Sequence, residues 1–500
     1  MKKIVLPAVI AALFFWMVPA RACFTVVAGK KATADGSVLV AHNEDDRSPI
    51  LFNVWYVPRQ QHNPGETVHL RNGGTLPQVP QTWAYFWIEA VGLPFSDYGM
   101  NEWGVTVASN ACPSVVKREQ AELTDGGIGY MLRLLVLQRA KTAREGVEIA
   151  GRLLDHFGYA SSGRTLTIAD ANEAWLLAMV RGKHWVAQRV PDDRVVVQPN
   201  IFIIRKVDFS DPENFITSKD DIRRYAIRNG WYNPQKGPFD FAQTFSFFYD
   251  PKYKERGYDT RQWRGQQLIS GKTVTVAEAK AKGGLPFAIK PAHPLTVADL
   301  FAVLRDHYEG TPYDVTKEKK GNPNSSFERT ICTASTQHAT VAQLRAWLPR
   351  EYANVIWFSF GRPDVNTFVP FYPSVAEVPE KFHFTFGKND WKNAFDHHFN
   401  SPPEIFQYRP DLAFWLLNDL ENIMGLDYYG TIAEIRAAWK QQESEALALQ
   451  PAIEAAAEEL RKSDPPQAVR FLRDYSFGRF EKMLRTAKKL TVQVKSKVYR

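Results

Sequence analysis

The chain opens on an apolar run without alternation. Residues 4–18 follow Lys2 and Lys3 and lead to Ala20-Arg21-Ala22, the charged, apolar, small-x-small order that signal peptidase cuts after. This segment is read as a leader that is removed, so the folded protein is expected to begin at Cys23. From there the pattern changes to short β-branched stretches. Residues 24–28 (FTVVA) and 37–42 (SVLVAH) flank a connection containing Asp35-Gly36 and predict a hairpin. Pairing residue 28 with residue 37 sets Cys23 opposite His42, with Asn43, Glu44 and Asp45 just beyond. A slip of one residue would turn those side chains to the other face.

Further strands are expected at 85–91, 103–109, 165–169, 173–180 and 185–190, with Asp170-Ala171-Asn172 turning a tight hairpin. Residues 128–140 and 143–157 carry apolar positions three and four apart (Met131, Leu134, Leu135; Val147, Ile149, Leu153, Leu154) and predict two amphipathic helices. Strands grouped in hairpins and helices in a pair predict an α+β fold of antiparallel sheets with helices packed outside them. From residue 208 to about 292 the pattern is irregular, giving loops and short helices over the body. Residues 295–308 read as a helix, 335–348 fit helix or strand, 354–360 (NVIWFSF) read as a strand, and His383 falls on another between Phe382 and Phe384. Past residue 401 the period is helical at 411–424, 431–450 and 452–462, then Pro465-Pro466 precedes a last helix. The expected organisation is a removed leader at 1–22, a catalytic body at 23–400 and a helical region packed on it at 401–500.

Composition narrows the function more by exclusion than by signal. The formal charge of +8 includes three leader cations; without Lys2, Lys3 and Arg21, 59 basic residues face 54 acidic ones, a net +5, too weak for a nucleic-acid partner. No second apolar stretch is long enough to span a bilayer, so no stable membrane anchor is expected. Self-association is left open. Three cysteines occur, at 23, 112 and 332; if Cys23 is a nucleophile, Cys112 and Cys332 are left either to pair or to stay as buried thiols. No CxxC, HExxH or EF-hand spacing appears, and neither His383 nor His397-His398 has a recognised ligand spacing, so neither metal nor cofactor is expected.

A cysteine exposed by cleavage carries its own base. Its thiol has an ordinary pKa of about 8.5 and its α-amine about 7.7–8.0, so near neutral pH the amine can accept the thiol proton. While Ala22 precedes it, that nitrogen is an amide and cannot. The competing use of such a cysteine is lipidation, but Ala20 and Arg21 stand where a lipobox wants Leu and a small residue.

Several segments together resemble one family. They are Cys23 to Lys31 (CFTVVAGKK), Asp35-Gly36-Ser37, His42-Asn43-Glu44-Asp45, Asn101-Glu102-Trp103-Gly104-Val105 leading to Asn110, Gly127-Ile128-Gly129-Tyr130, Asp170 to Trp175, Val190-Pro191-Asp192-Asp193 leading to Asn200, Arg305 to Thr311, and Arg329 to His338. The combination resembles the C69 dipeptidases, N-terminal nucleophile hydrolases related to bile salt hydrolases and penicillin V acylases. The resemblance implies a four-layer αββα sandwich with the nucleophile at the head of a central strand, and metal-free amide hydrolysis through a thioester.

Residue by residue, the resemblance makes Cys23 the nucleophile, Asp45 the carboxylate that holds its α-amine, and Asn110 a side-chain donor to the oxyanion. Asn200 matches a second polar position near the nucleophile, and Arg329 a distant arginine that favours thiolate. His42 departs from the arginine common at its place, and with Asn43 is expected to bind substrate or support the site. Arg305 to Thr311 is assigned to helix-end packing. The expected function is an exported dipeptidase, periplasmic or secreted, acting on short peptides. The alternatives are an amidase for non-peptide acyl amides and, in another class, a lipid-anchored protein without catalysis.

Overall fold

The computed structural model describes residues 23–45, 51–91, 96–248, 251–317, 322–326, 328–385 and 403–499. The leader and His397-His398 lie outside the described residues.

Two antiparallel sheets form the body. One has seven strands in the order Ala288–Ile289, Val195–Gln198, β1 (Phe24–Ala28), β2 (Val38–Asp45), Thr336–Leu344, Asn354–Phe360 and Val369–Phe371. The other has eight, from Phe215–Thr217 through Trp185–Arg189, Ala174–Gly182, Tyr159–Ala169, Thr106–Ala111, Tyr98–Asn101 and Tyr85–Ala90 to Phe52–Val57. The period of two along the eight-stranded sheet divides its side chains between two cores. Leu176, Ala178 and Val180 pack into a core shared with β1 and β2, whereas Trp175, Leu177 and Met179 pack against helices α1 (Met131–Arg139) and α2 (Ala143–Phe157). On the far side, helix Val297–Leu304 lies on β2 and helix Thr260–Ser270 on Val195–Gln198. The layers are therefore helix, sheet, sheet, helix, the expected αββα sandwich.

Local chemistry explains where these elements stop. Thr142 caps α2 by accepting from the Glu145 N–H, and Gly158 ends it at φ 76°. β1 and β2 are buried on both faces, which is why they read as continuous apolar runs instead of alternating ones.

The β1–β2 register differs from the expected one by two residues: Thr25 pairs with His42 and Ala28 with Leu39, which carries Cys23 to the level of Glu44 instead of His42. Asp35 causes this, because its carboxylate accepts from both the N–H and the hydroxyl of Ser37 and keeps Ser37 in the connection. A shift of two leaves each side chain on its expected face.

Other expectations need correction as well. Residues 335–348 resolve as a strand, Thr336–Leu344, because β2 and Asn354–Phe360 flank it on either side. His383 is not on a strand; it follows a single turn, Glu380–Phe382, and lies tilted against Trp55 with ring centroids 4.0 Å apart. Tyr428–Ser463 is one helix that runs through Pro451, where packing against Pro465–Val498 outweighs the lost backbone bond. Asp464 caps that last helix by accepting from Gln467 N–H, with Pro465 in its first turn. Cys112 and Cys332 are separate free thiols, beside the carbonyls of Pro199 and Ile201 and beside Asp364 respectively. No helix among the described residues is long and apolar enough to cross a membrane.

Candidate active site

Cys23 stands at the head of β1, with the thiol facing the second sheet and only 2% of the residue exposed. Its Sγ donates to Glu44 Oε2 at 3.1 Å. Burial pushes the thiol pKa well above its usual value, and the charges of Glu44 and Asp45 push it further, against small opposing effects of the Asp45 backbone and Arg164. At rest the sulfur is a thiol and needs a base to become a nucleophile.

The strand partners build a network on the same face. Thr25 Oγ1 lies 2.8 Å from His42 Nδ1 and donates to Asn110 Oδ1 at 2.7 Å, while His42 Nε2 lies 3.1 Å from Glu44 Oε2. Asn110, on strand Thr106–Ala111, donates its amide to the carbonyls of Cys23 at 2.9 Å and Gln198 at 3.2 Å. The structure thus brings Asn110 to Cys23 but commits both its N–H donors to backbone, so it holds the β1 terminus in place and presents no free donor to an oxyanion. His42 is neutral: burial takes its pKa well below the usual value, helped by His338, Arg133 and Arg164.

Asn200 is set differently. Its Oδ1 accepts from Arg261 Nη2 at 2.8 Å, and its Nδ2 is buried with no hydrogen-bond partner among the described residues. Arg261 also reaches the Cys23 carbonyl at 3.4 Å and so ties Asn200 to Cys23. Helix Thr260–Ser270 can lie this close because Gly265, one turn after Arg261, has no side chain. A Cβ there would stand 2.8 Å from Val197 and 3.0 Å from Phe24.

Asp45 points to the other face of β2, where Oδ1 accepts from Thr336 at 2.6 Å. Arg329 is buried close to Asp45, Cys23 and Arg261. Burial, then repulsion from Arg261, brings its pKa down to about 10, with Asp45 and Cys23 acting against the fall. Asn43 turns away from the thiol and donates to the carbonyls of Leu304 and Ile331, so it supports the site by locking β2 to its neighbours.

Sequence reasoning missed Arg261, Glu44 as a contact of the thiol, and a buried group in which Arg133 and Arg164 both bind Asp97 and Ser109. The Asp259 cap and Gly265 were visible signals of a closely packed helix around Arg261, but nothing in that irregular stretch showed what it packs on. Cys23, His42 and Glu44 could offer metal-ligand atoms within 4.8 Å of one another, as could His307, Cys332 and Asp364. The second trio is crowded by Arg362 and Arg436, which oppose a cation.

Comparison with known proteins agrees with this arrangement. The pattern of peptidase family C69 matches residues 22–400. The chain is 31% identical over 387 residues to a probable dipeptidase of Latilactobacillus sakei, covering 75% of this chain and 79% of that protein. It is 29% identical over 397 residues to a dipeptidase of Bifidobacterium longum, covering 72% of each. Among solved structures, penicillin V acylase from Agrobacterium tumefaciens aligns at 14% identity and TM-score 0.34 over 70% of this chain and 86% of its own, too distant to bear on function. With a family match over most of its length and relatives aligned along most of theirs, this chain belongs to peptidase family C69 and is a hydrolase.

Proposed function

We propose that the protein is an exported cysteine dipeptidase whose nucleophile, Cys23, becomes the first residue when the leader is cut after Ala22. The observation that carries this reading is the convergence on Cys23, at the head of a central strand, of Asn110, Asn200, Arg261 and Arg329 from distant parts of the chain. The dipeptidase names of relatives aligned over three quarters of the chain support the substrate class.

The buried thiol requires a base, and the freed α-amine is the one cleavage provides. The amine takes the thiol proton and the sulfur adds to the peptide carbonyl. The ammonium then passes that proton to the departing amine, leaving a thioester that water, activated by the same amine, hydrolyses. Asn200 Nδ2 is assigned to the oxyanion and Asn110 to holding the Cys23 carbonyl. Arg261 and Arg329 supply positive charge, and Asp45 orients the amine.

Intact mass of the exported protein, followed by assay on a dipeptide panel, tests this. A chain starting at unmodified Cys23 that releases free amino acids, with no turnover in Cys23→Ala, is expected. A lipid-modified terminus, a terminus elsewhere, or full activity in Cys23→Ala overturns it.

A further inference from the structure

The hydrolysis above leaves one carboxyl group unused, and it is in direct contact with the thiol. Glu44 is only 7% exposed and its Oε2 stands 3.1 Å from both Cys23 Sγ and His42 Nε2. The hydrogen-bond directions around it follow from obligate acceptors. Asn110 Nδ2 faces two carbonyls, so its Oδ1 must receive the Thr25 hydroxyl proton. Thr25 has no second proton, so it accepts from His42, and His42 carries its hydrogen on Nδ1. One proton then lies in the contact between His42 Nε2 and Glu44 Oε2. Glu44 Oε2 also accepts from the thiol.

A substrate must place its carbonyl carbon about 3–3.5 Å from the sulfur. In a peptide the α-nitrogen of the same residue is only two bonds from that carbon, so it falls within reach of an acceptor 3.1 Å from Sγ. We propose that Glu44 receives the α-ammonium of the substrate and thereby selects peptides with a free amino terminus; this rests on the nucleophile reading above. The ammonium then shares the Glu44 carboxyl with His42 Nε2, which already stands 3.1 Å from Oε2. An acylated substrate has no ammonium to bring to Glu44, and a site built to bind one discriminates strongly against its absence.

The test compares an alanine dipeptide with its N-acetyl form, in the native enzyme, Glu44→Gln and Cys23→Ala, with iodoacetamide labelling of Cys23 to report an intact site. The native enzyme is expected to prefer the free amine by about 100-fold or more in kcat/KM. Glu44→Gln should shrink that ratio at least tenfold, mainly through KM of the free dipeptide, while Cys23 still labels. An unchanged ratio overturns the proposal. So does an equal fall on both substrates, which would make Glu44 a partner of the enzyme's own amine. Activity surviving in Cys23→Ala brings down the hydrolase reading and this one with it, and is recognised because it does not depend on Glu44. Should Glu44→Gln fail to fold, competition on the native enzyme decides: alaninamide should inhibit and N-acetylalaninamide should not, and equal inhibition overturns the proposal.

Discussion

Two buried clusters among the described residues contain a cysteine, a histidine and a carboxyl, and they differ in how fully the carboxyl is engaged. Around Cys23, a thiol, a histidine and a carboxyl meet at 3.1 Å, and the thiol is held in its protonated form. Around Cys332, His307 meets Asp364 at 3.0 Å and the thiol lies 3.5 Å from the same carboxylate. The difference lies in what else the carboxylate holds. Asp364 also accepts from Asn324 at 3.2 Å and Tyr428 at 3.1 Å. Burial would raise its pKa, but the His307 contact and the charges of His307, Arg362 and Arg436 hold it far below the usual range. The carboxylate is filled with partners, so the cluster ties the end of a strand to the C-terminal helices. At Cys23 the thiol reaches a single carboxyl, and Arg261 joins the Cys23 carbonyl to Asn200, whose buried Nδ2 has no hydrogen-bond partner among the described residues. Residue type does not separate a site from a staple; saturation does.

Removing the two thiols should show this most strongly. Cys23→Ala is expected to cut kcat/KM by roughly 10⁴-fold or more with cooperative unfolding retained, whereas Cys332→Ala should keep turnover within about threefold and lose about 1 kcal/mol of stability. Equal losses of activity in both variants would erase the distinction. The staple should fail in stability instead. Asp364→Ala leaves His307 and Arg362 buried without their carboxylate, and about 3–5 kcal/mol should be lost in urea unfolding at pH 7. The sign with pH follows from a carboxyl held down in the folded state. Its contribution is complete above the unfolded pKa of about 3.9 and fades as pH falls below it, so the native chain should weaken from about pH 5 downward and Asp364→Asn should flatten that slope.

The two asparagines at the site sharpen the same contrast at smaller scale. Asn200→Ala should lower kcat by about 10²- to 10³-fold with little change in KM, the cost of a lost oxyanion donor. Asn110→Ala should lower stability and shift both constants together, because its donors hold the carbonyls of Cys23 and Gln198. Parallel kinetics on one dipeptide would show which of the two faces the reacting carbonyl.

Much of the frame was legible in the sequence. The β-branched runs at 24–28 and 37–42, the paired helices and the antiparallel grouping led to the observed sheets, because apolar periodicity reports which faces are buried. The hairpin register was not legible, because it depended on Asp35 holding Ser37 in the turn, which strand pattern does not encode. Cys23, Asp45, Asn110, Asn200 and Arg329 do lie in one region. Arg261 was missed because its approach depends on a helix seated on β1 through Gly265, a packing event between residues far apart in the chain. The pairing of Cys112 with Cys332 was left open for the same reason, since spacing says nothing about neighbours in space.

A third buried carboxyl lies between the two extremes and should give the smallest effect. Glu89 stands on strand Tyr85–Ala90, where burial pushes its carboxyl up to about 7, relieved only in part by Trp55 and Asn53, and its Oε1 has no hydrogen-bond partner among the described residues. Here the folded state binds a proton that the unfolded chain has released, so stability is complete below the unfolded pKa of about 4.3 and falls as pH rises through 7. This is opposite in sign to the effect at Asp364. A tenfold change in proton affinity is worth about 1.4 kcal/mol, so the loss by pH 8 is at most about 4 kcal/mol. Glu89→Gln keeps the shape and removes the charge but still buries a polar group, which offsets part of the gain. Urea unfolding should therefore find it about 1–2 kcal/mol more stable than the native chain at pH 8 and nearly equal at pH 5. If the variant were weaker at pH 8, Glu89 would be a stabilising anion after all, and its place between a saturated carboxylate and a reactive one would be lost.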